Sequence, residues 1–349
     1  MGLRSRSTAG VLFALVLQMH PRPASAQLFA NVPIDESLPC LQRVARVTWM
    51  RWDETRTTLD LWCRTVGPPL AVDARVLKPG DIKGLWILSW NVHVGGGRVE
   101  ELLPRLLRES SAAGMGLIVL LQETFRAGEA VPGSYPSEVK VPASVRPRRP
   151  TLDIRAIAEK FQMTMAYVPS MRNGPATSLA AREDRGNAVL STERLTDITA
   201  IELPFGRERR VAVAAMVLPQ SSSPRAGPLR VISAHFDPWD DRVAQSSALS
   251  ERITYLTDVP IVIGGDLNAR EGPHDGAVAA LTSRIPLLSC GTGRTNRWPL
   301  RVDVLLPFVG RLDYMFATTA TASGIQRTCE TRSDAYGSDH LPLLLTMQY

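Results

Sequence analysis

The chain has no apolar run long enough to cross a bilayer; the stretch at Val11–Val16 is too short. The processed protein is therefore expected to be soluble. No CxxC pair occurs and no histidine lies close to a cysteine, which argues against a zinc site. Gly95–Gly97 lacks the Gly-Lys-Ser/Thr ending of a phosphate-binding P-loop. No internal repeat of fixed period is visible, which excludes solenoids and propellers built on one. No long basic helix interleaved with aromatics is present, nor any nucleic-acid-binding appendage. A strong charge of one sign is missing as well. The formal charge of +6 falls to +3 when residues 1–26, with Arg4, Arg6 and Arg22 and no acids, are set aside. That suits phosphate-bearing substrates but is far from the charge of a nucleic-acid coat protein.

What is present begins with a leader. Arg4 and Arg6 give a basic start, Val11–Val16 an apolar centre, and Ala24-Ser25-Ala26 a small-residue cleavage site. That order predicts a signal peptide over 1–26 and a secreted or periplasmic protein. No cysteine follows the cleavage site, so no lipid anchor is expected there. The four cysteines, Cys40, Cys63, Cys290 and Cys329, all lie beyond it. In an oxidising compartment an even count predicts two disulfides, and nearness in sequence favours Cys40–Cys63 and Cys290–Cys329. Residues 27–82 read as an N-terminal extension packed on a main domain at 83–349. Trp49, Trp52 and Trp62 supply apolar surface there, but no consistent period does.

In the main domain a series of short apolar runs each ends in a polar residue. Leu85–Asn91 ends in Asn91, and Leu117–Leu121 leads to Gln122-Glu123. Asp184–Ser191 contains Asn187. Val211–Leu218 and Leu229–Ala234 flank a Ser/Pro/Gly-rich turn, which predicts an antiparallel hairpin delivering His235. Pro260–Ile263 is a buried-strand pattern ended by Gly264 and Gly265, after which Asp266 and Asn268 share a face by their i, i+2 spacing. Arg311–Phe316 holds Asp313, and Gly337–Leu345 holds Asp339 and His340. Thr151 is placed to cap a helix with Ile154, Ile157, Ala158 and Phe161 on one face. The proline-rich loop 131–150 carries Arg146, Arg148 and Arg149. Arg185, Arg210 and Arg242 are cations able to bind phosphate, but surface arginines usually do not, and they are left out of the expected site.

The ordered series WNV, QE, RGNAVLS, HFD, GGDLN, RLDYMF and SDHLP resembles the endonuclease/exonuclease/phosphatase superfamily, over roughly residues 83–349. The resemblance implies a DNase I-like fold of class α/β: a four-layer α/β/β/α sandwich with two mixed β-sheets face to face. It implies Mg²⁺ or Mn²⁺ and hydrolysis of a phosphate ester by in-line attack of water. Matched residue by residue, it implies Glu123 as main metal ligand, with Asn91 and Asp339 beside it. It implies catalytic roles for His235, Asp266, Asn268, Asp313 and His340, with Asp313 holding the His340 ring. It implies a substrate-positioning role for Asn187. The sequence departs from the base-excision nucleases at His93, where they carry an aspartate, and this favours one metal ion over two.

The sequence thus leads to a secreted metal-dependent phosphoesterase, a monomer, with a phosphoester substrate and nucleic acid preferred. The alternatives are a phospholipid, sphingomyelin-type or small-molecule phosphodiesterase or phosphatase, for which Trp239 would shape a pocket. A non-catalytic binding protein on the same scaffold is a second alternative, opposed by the retained acids and His340.

Overall fold

The structure is a computed structural model. It describes residues 47–50, 56–75, 80–139, 141, 151–173, 182–239, 241–269, 275–290, 293–296, 310–319 and 325–349. The expected leader at 1–26, Cys40, Trp52 and the arginines at 146–149 lie outside the described residues.

Two seven-stranded mixed sheets are formed by the described residues. The first runs in the order β1 (Val47–Met50), β7 (Arg194–Glu202), β8 (Val211–Leu218), β9 (Leu229–His235), β10 (Ile261–Asp266), β12 (Asp313–Thr318), β11 (Leu287–Cys290). The second runs β13 (Gln326–Thr331), β14 (Leu343–Gln348), β3 (Gly84–Asn91), β4 (Met115–Ala127), β6 (Glu183–Ser191), β5 (Thr164–Arg172), β2 (Leu70–Asp73). The β8–β9 pair is the expected antiparallel hairpin. Parallel pairing occurs at β1–β7, β3–β4 and β9–β10. Before residue 83 the chain supplies one outer strand to each sheet, β1 and β2, with α1 (Arg56–Cys63) between them in the chain.

Alternation along the strands builds the layers. Leu85 and Ile87 of β3 face Val213, Val231, Val262 and Met315 of the opposite sheet in the central core. Leu88 and Trp90 face outward and pack with Leu102, Leu103 and Leu106 of α2 (Val99–Ala112) and Ile154 and Ile157 of α3 (Ile154–Lys160). On the other side Ile232, Ile263 and Phe316 pack with Leu249 and Ile253 of α4 (Arg242–Ile253) and Leu281 of α5 (Gly276–Thr282). The four-layer α/β/β/α sandwich is therefore present. No described helix is long and apolar enough to cross a membrane.

Three local readings change. The cap of α3 is Asp153, whose Oδ1 accepts from the Ala156 N–H at 2.8 Å, and not Thr151. An aspartate three residues before the donating amide has the reach of an N-cap; Thr151 sits two residues too early. Strand β10 continues through Gly264 and Gly265 to Asp266, since both glycines stay in register with β9 and β12. At Gly264 the sheets come close: a Cβ there would lie 2.8 Å from Ser89 Cβ and Leu120 Cδ1. Strand β7, which the sequence reading passed over, alternates Leu195 and Ile198 into the central core across a register shift between Thr196 and Thr199.

The Cys290–Cys329 disulfide is present, with 5.6 Å between Cα atoms. It joins β11 of one sheet to β13 of the other, a covalent tie between the two layers.

Candidate active site

The inward-facing rows of the central strands end together. Val262 lies in the central core, Gly264 faces Ser89, and Asp266 is the next residue of that row. In the sheet register Asp266 sits opposite His235 on β9 and opposite Asp313 on β12. From the facing sheet, Asn91 ends the row Leu85, Ile87, Ser89, and its Nδ2 donates to Asp266 Oδ2 at 2.9 Å. Asn268 donates its backbone N–H to Asp266 Oδ1 at 2.9 Å, and its side-chain amide to the Phe236 carbonyl at 2.8 Å. Two-residue periodicity therefore aims an acid, an amide and a histidine at one point between the sheets.

Glu123 reaches the same edge by breaking that periodicity. Gln122, not Glu123, continues the inward row of β4, and it hydrogen-bonds Ser233 across the sheets at 2.9 Å. A register shift between Leu121 and Thr124, with Glu123 at a φ of 53°, re-aims the carboxylate. Positive φ recurs around the site at His93, Asn268 and Tyr336. Backbone in this region is strained for residues with a Cβ, and such strain gathers at functional sites.

His340 precedes β14, and its Nδ1 lies 2.8 Å from Asp313 Oδ2. Its Nε2 is 3.7 Å from Asp266 Oδ2 and 3.9 Å from Asp339 Oδ1. Burial pulls the His340 pKa down, but the charges of Asp313 and Asp266 and the bond to Asp313 lift it well above the usual imidazole value. His340 is therefore an imidazolium held by a carboxylate. Burial pushes Asp266 up to about 7, and Asp313 adds to this, against the opposing pull of His340, the Asn268 amide and Asn91. Asp339 is nearly half exposed and pairs with His93 Nδ1 at 2.9 Å. Burial raises its pKa, but the His93 contact and the His340 charge hold it below the ordinary carboxylate value. His93 in turn is raised, first by that contact with Asp339.

His235 behaves oppositely to His340. Burial, then the guanidinium charges of Arg210 and Arg185, drive its pKa well below the usual value. Arg210 Nη1 lies 3.0 Å from His235 Nδ1. The same Nη1 lies 3.3 Å from His235 Nε2, so the guanidinium, which only donates, faces the ring across both nitrogens. His235 Nε2 lies 3.5 Å from Asp266 Oδ2 and 3.8 Å from Glu123 Oε1.

The structure thus brings Asn91, Glu123, His235, Asp266, Asn268, Asp313, Asp339 and His340 to one edge of the sandwich. Asn187 is placed differently: buried, it donates from Nδ2 to the Val211 carbonyl at 2.7 Å, a tie between β6 and β8. Arg185 and Arg210 were missed by the sequence reading. Arg210 is buried against His235, and Arg185 Nη1 lies 4.0 Å from Glu123 Oε2. The signal for Arg185 was its i, i+2 relation to Asn187, which puts both on the inward face.

The donor chemistry suits a hard divalent cation. Among the described residues the Glu123 carboxylate makes no hydrogen bond; His235 Nε2 lies 3.8 Å and Arg185 Nη1 4.0 Å from it. Asp313 Oδ1 is buried without a partner. Ligand atoms of Asp266, Asp313 and His340 lie within 4.8 Å of one another. The bond between His340 and Asp313 uses two of those groups, and His93 engages the other expected oxygen donors, its backbone N–H donating to Asn91 Oδ1 at 2.9 Å and its Nδ1 pairing with Asp339.

Residues 88–340 match the model of the Endonuclease/Exonuclease/phosphatase family. A comparison with curated proteins found no match. Among solved structures, one described as an endonuclease/exonuclease/phosphatase from Beutenbergia cavernae DSM 12333 superposes with a TM-score of 0.51 at 19% identity, covering 76% of this chain and 72% of that one. The human Nocturnin catalytic domain, described with a bound sulfate anion, gives 0.50 at 16% identity, covering 80% and 97%. A protein of the same family description from Leptotrichia buccalis C-1013-b gives 0.50 at 15% identity, covering 76% and 100%.

Proposed function

The chain belongs to the endonuclease/exonuclease/phosphatase family, and from that premise we propose that it is an exported, metal-dependent phosphodiesterase that prefers nucleic acid. Members of the family are usually phosphoester hydrolases. The observation that carries the reading is the convergence of an imidazolium–carboxylate pair, His340–Asp313, with Asp266 and an unbonded Glu123 carboxylate.

Glu123, with Asp339 and Asn91, would hold one Mg²⁺ or Mn²⁺. Such an ion neutralises charge on a phosphoryl oxygen and polarises phosphorus for attack. His340, fixed by Asp313, donates from Nε2 to another phosphoryl oxygen and stabilises the charge that develops there. Asp266, with a pKa near neutrality, takes the proton of the attacking water. The amide of Asn91 and the backbone N–H of Asn268 hold that carboxylate in place. His235, its pKa held low by burial and by Arg210, turns Nε2 toward the same centre. Water attacks phosphorus in line with the departing oxygen, and the P–O bond to it breaks as the new one forms.

The nucleic-acid preference is supported by the modest basic excess beyond residue 26 and by Arg185 and Arg210 near the reacting centre. Export is supported by the leader pattern in 1–26 and by the disulfide, which suits an oxidising compartment. The test gives protein beginning at Gln27 plasmid DNA, RNA, an artificial phosphodiester, a phosphomonoester and a choline phospholipid. Each is assayed with Mg²⁺, Mn²⁺ or chelator, with His340→Ala as control. Nicking of DNA that falls steeply with salt and vanishes with chelator and in the variant is the expected result. Activity surviving both chelator and His340→Ala would overturn the phosphoesterase mechanism; lipid or small-ester turnover without nicking would overturn the nuclease preference.

A further inference from the structure

The pair His340–Asp313 spans the two sheets. Asp313 opens β12 in one, and His340 precedes β14 in the other. Their hydrogen bond is 2.8 Å long and both side chains are buried, so any drift of either backbone is passed to the imidazole. Something must hold the two backbones in a common frame.

The stretch Gly293–Asn296 does so. Thr295 is fully buried. Its Oγ1 accepts two backbone hydrogen bonds, from the Leu312 N–H and the Asp313 N–H, each at 3.0 Å. Its own N–H donates to the Gly310 carbonyl at 2.9 Å, and its carbonyl accepts from the Leu341 N–H at 2.6 Å. Asn296 forms an isolated antiparallel bridge with His340, and Arg294 Nε donates to the Asn296 carbonyl at 2.8 Å. One residue therefore grips the strand start that carries Asp313 with its side chain, and the loop that carries His340 with its main chain. The tie formed by Cys290–Cys329 enters the same segment five residues earlier.

We propose that Thr295 is a positioning residue for catalysis, clamping Asp313 and His340 in register across the two sheets through its hydroxyl and its carbonyl. It touches neither substrate nor metal and acts through the pair. The hydroxyl is the part a substitution can remove: valine has the same shape but cannot accept, so two buried N–H groups lose their partner. The Asp313 backbone is then free to shift, and a misplacement of about 1 Å in a catalytic group lowers rate by about 100-fold.

The proposal rests on the phosphoesterase reading, and its experiment has one arm that does not. Thr295→Val and Thr295→Ser are compared with wild type in steady-state hydrolysis of whichever phosphoester the wild type cleaves, with melting curves to show both are folded at the assay temperature. Thr295→Val is expected to lower kcat by about 10- to 100-fold with KM changed less than about threefold, and Thr295→Ser to restore most of the rate. In parallel, proton NMR of the metal-free proteins follows the His340 Nδ1–H, protected by its bond to Asp313. That resonance is expected in wild type and Thr295→Ser and lost in Thr295→Val. If Thr295→Val does not fold, Thr295→Ala, which leaves room for a water, is read by the same two measurements. A folded Val or Ala variant with kcat within about twofold of wild type and the resonance intact would overturn the proposal; so would Thr295→Ser losing as much rate as Thr295→Val. If wild type hydrolyses nothing, the functional reading fails, while the NMR arm still decides the clamp.

Discussion

Replacing Asp313 by Asn removes one charge from a fully buried position while keeping the side-chain shape. In the wild type the carboxylate accepts from His340 Nδ1 at 2.8 Å. A hydrogen bond to a charged group contributes roughly 1.5–3 kcal/mol net. If that bond keeps His340 cationic against burial, its loss comes off transition-state stabilisation, and kcat falls about 10- to 150-fold. Metal affinity, which the proposed function assigns to Glu123, Asp339 and Asn91, should hold. The pH behaviour of the metal-free protein gives a second reading. The His340 pKa is raised in the folded state, so its contribution to stability is fully present below the unfolded imidazole value of about 6.5 and is lost as pH rises through the raised value. Wild type should therefore melt above Asp313→Asn near about pH 6, and the gap should narrow toward alkaline pH. Steady-state kinetics, a Mg²⁺ titration and melting curves across pH measure all three. A folded Asp313→Asn enzyme with kcat within about threefold of wild type would refute the orienting role.

Four further outcomes are expected. Glu123→Gln should depress activity at low Mg²⁺ and regain part of it as Mg²⁺ or Mn²⁺ is raised, read by metal titration. The double variant Cys290→Ser, Cys329→Ser should lose about 4 kcal/mol by the loop-entropy model, read from urea unfolding without reductant; with reductant the difference should disappear. Asp184→Ala strands the buried Arg126, which it pairs through Arg126 Nε at 3.1 Å; urea unfolding should show a loss of about 3–5 kcal/mol with activity per folded molecule retained. Gly264→Ala puts a methyl 2.8 Å from Ser89 Cβ and Leu120 Cδ1, and should destabilise by about 1–3 kcal/mol with a lowered melting temperature.

Much of this protein can be read from its residues without a fold. An apolar run with a polar residue two positions on can only place that residue on the same face, whatever the tertiary structure. That local rule made Asn91, His235 and Asp266 legible as strand endings. The hairpin at β8–β9 and the pairing of Cys290 with Cys329 followed from similarly near neighbours. Where periodicity is broken the local rule fails: Glu123, expected from the resemblance, is off the inward row of β4, and only a bulge with a left-handed residue turns it into the site.

The tertiary structure decided everything that depends on which distant groups share a low-dielectric space. Arg210 and His235 are 25 positions apart, and His340 and Asp313 are 27 apart. Burial and the nearby guanidinium lower the pKa of one histidine while nearby carboxylates raise that of the other, although in sequence each is a histidine beside an acid. The same holds for Asn187, whose amide is taken by the Val211 carbonyl, and for Thr295, one hydroxyl in a stretch with no pattern to mark it. The sequence determined which residues end the strands, because that follows from a two-residue repeat of the backbone. Only the packing of one sheet on the other decided which charges meet, because the energy of a charge depends on its distance to other charges and on burial, and neither is a property of the chain alone.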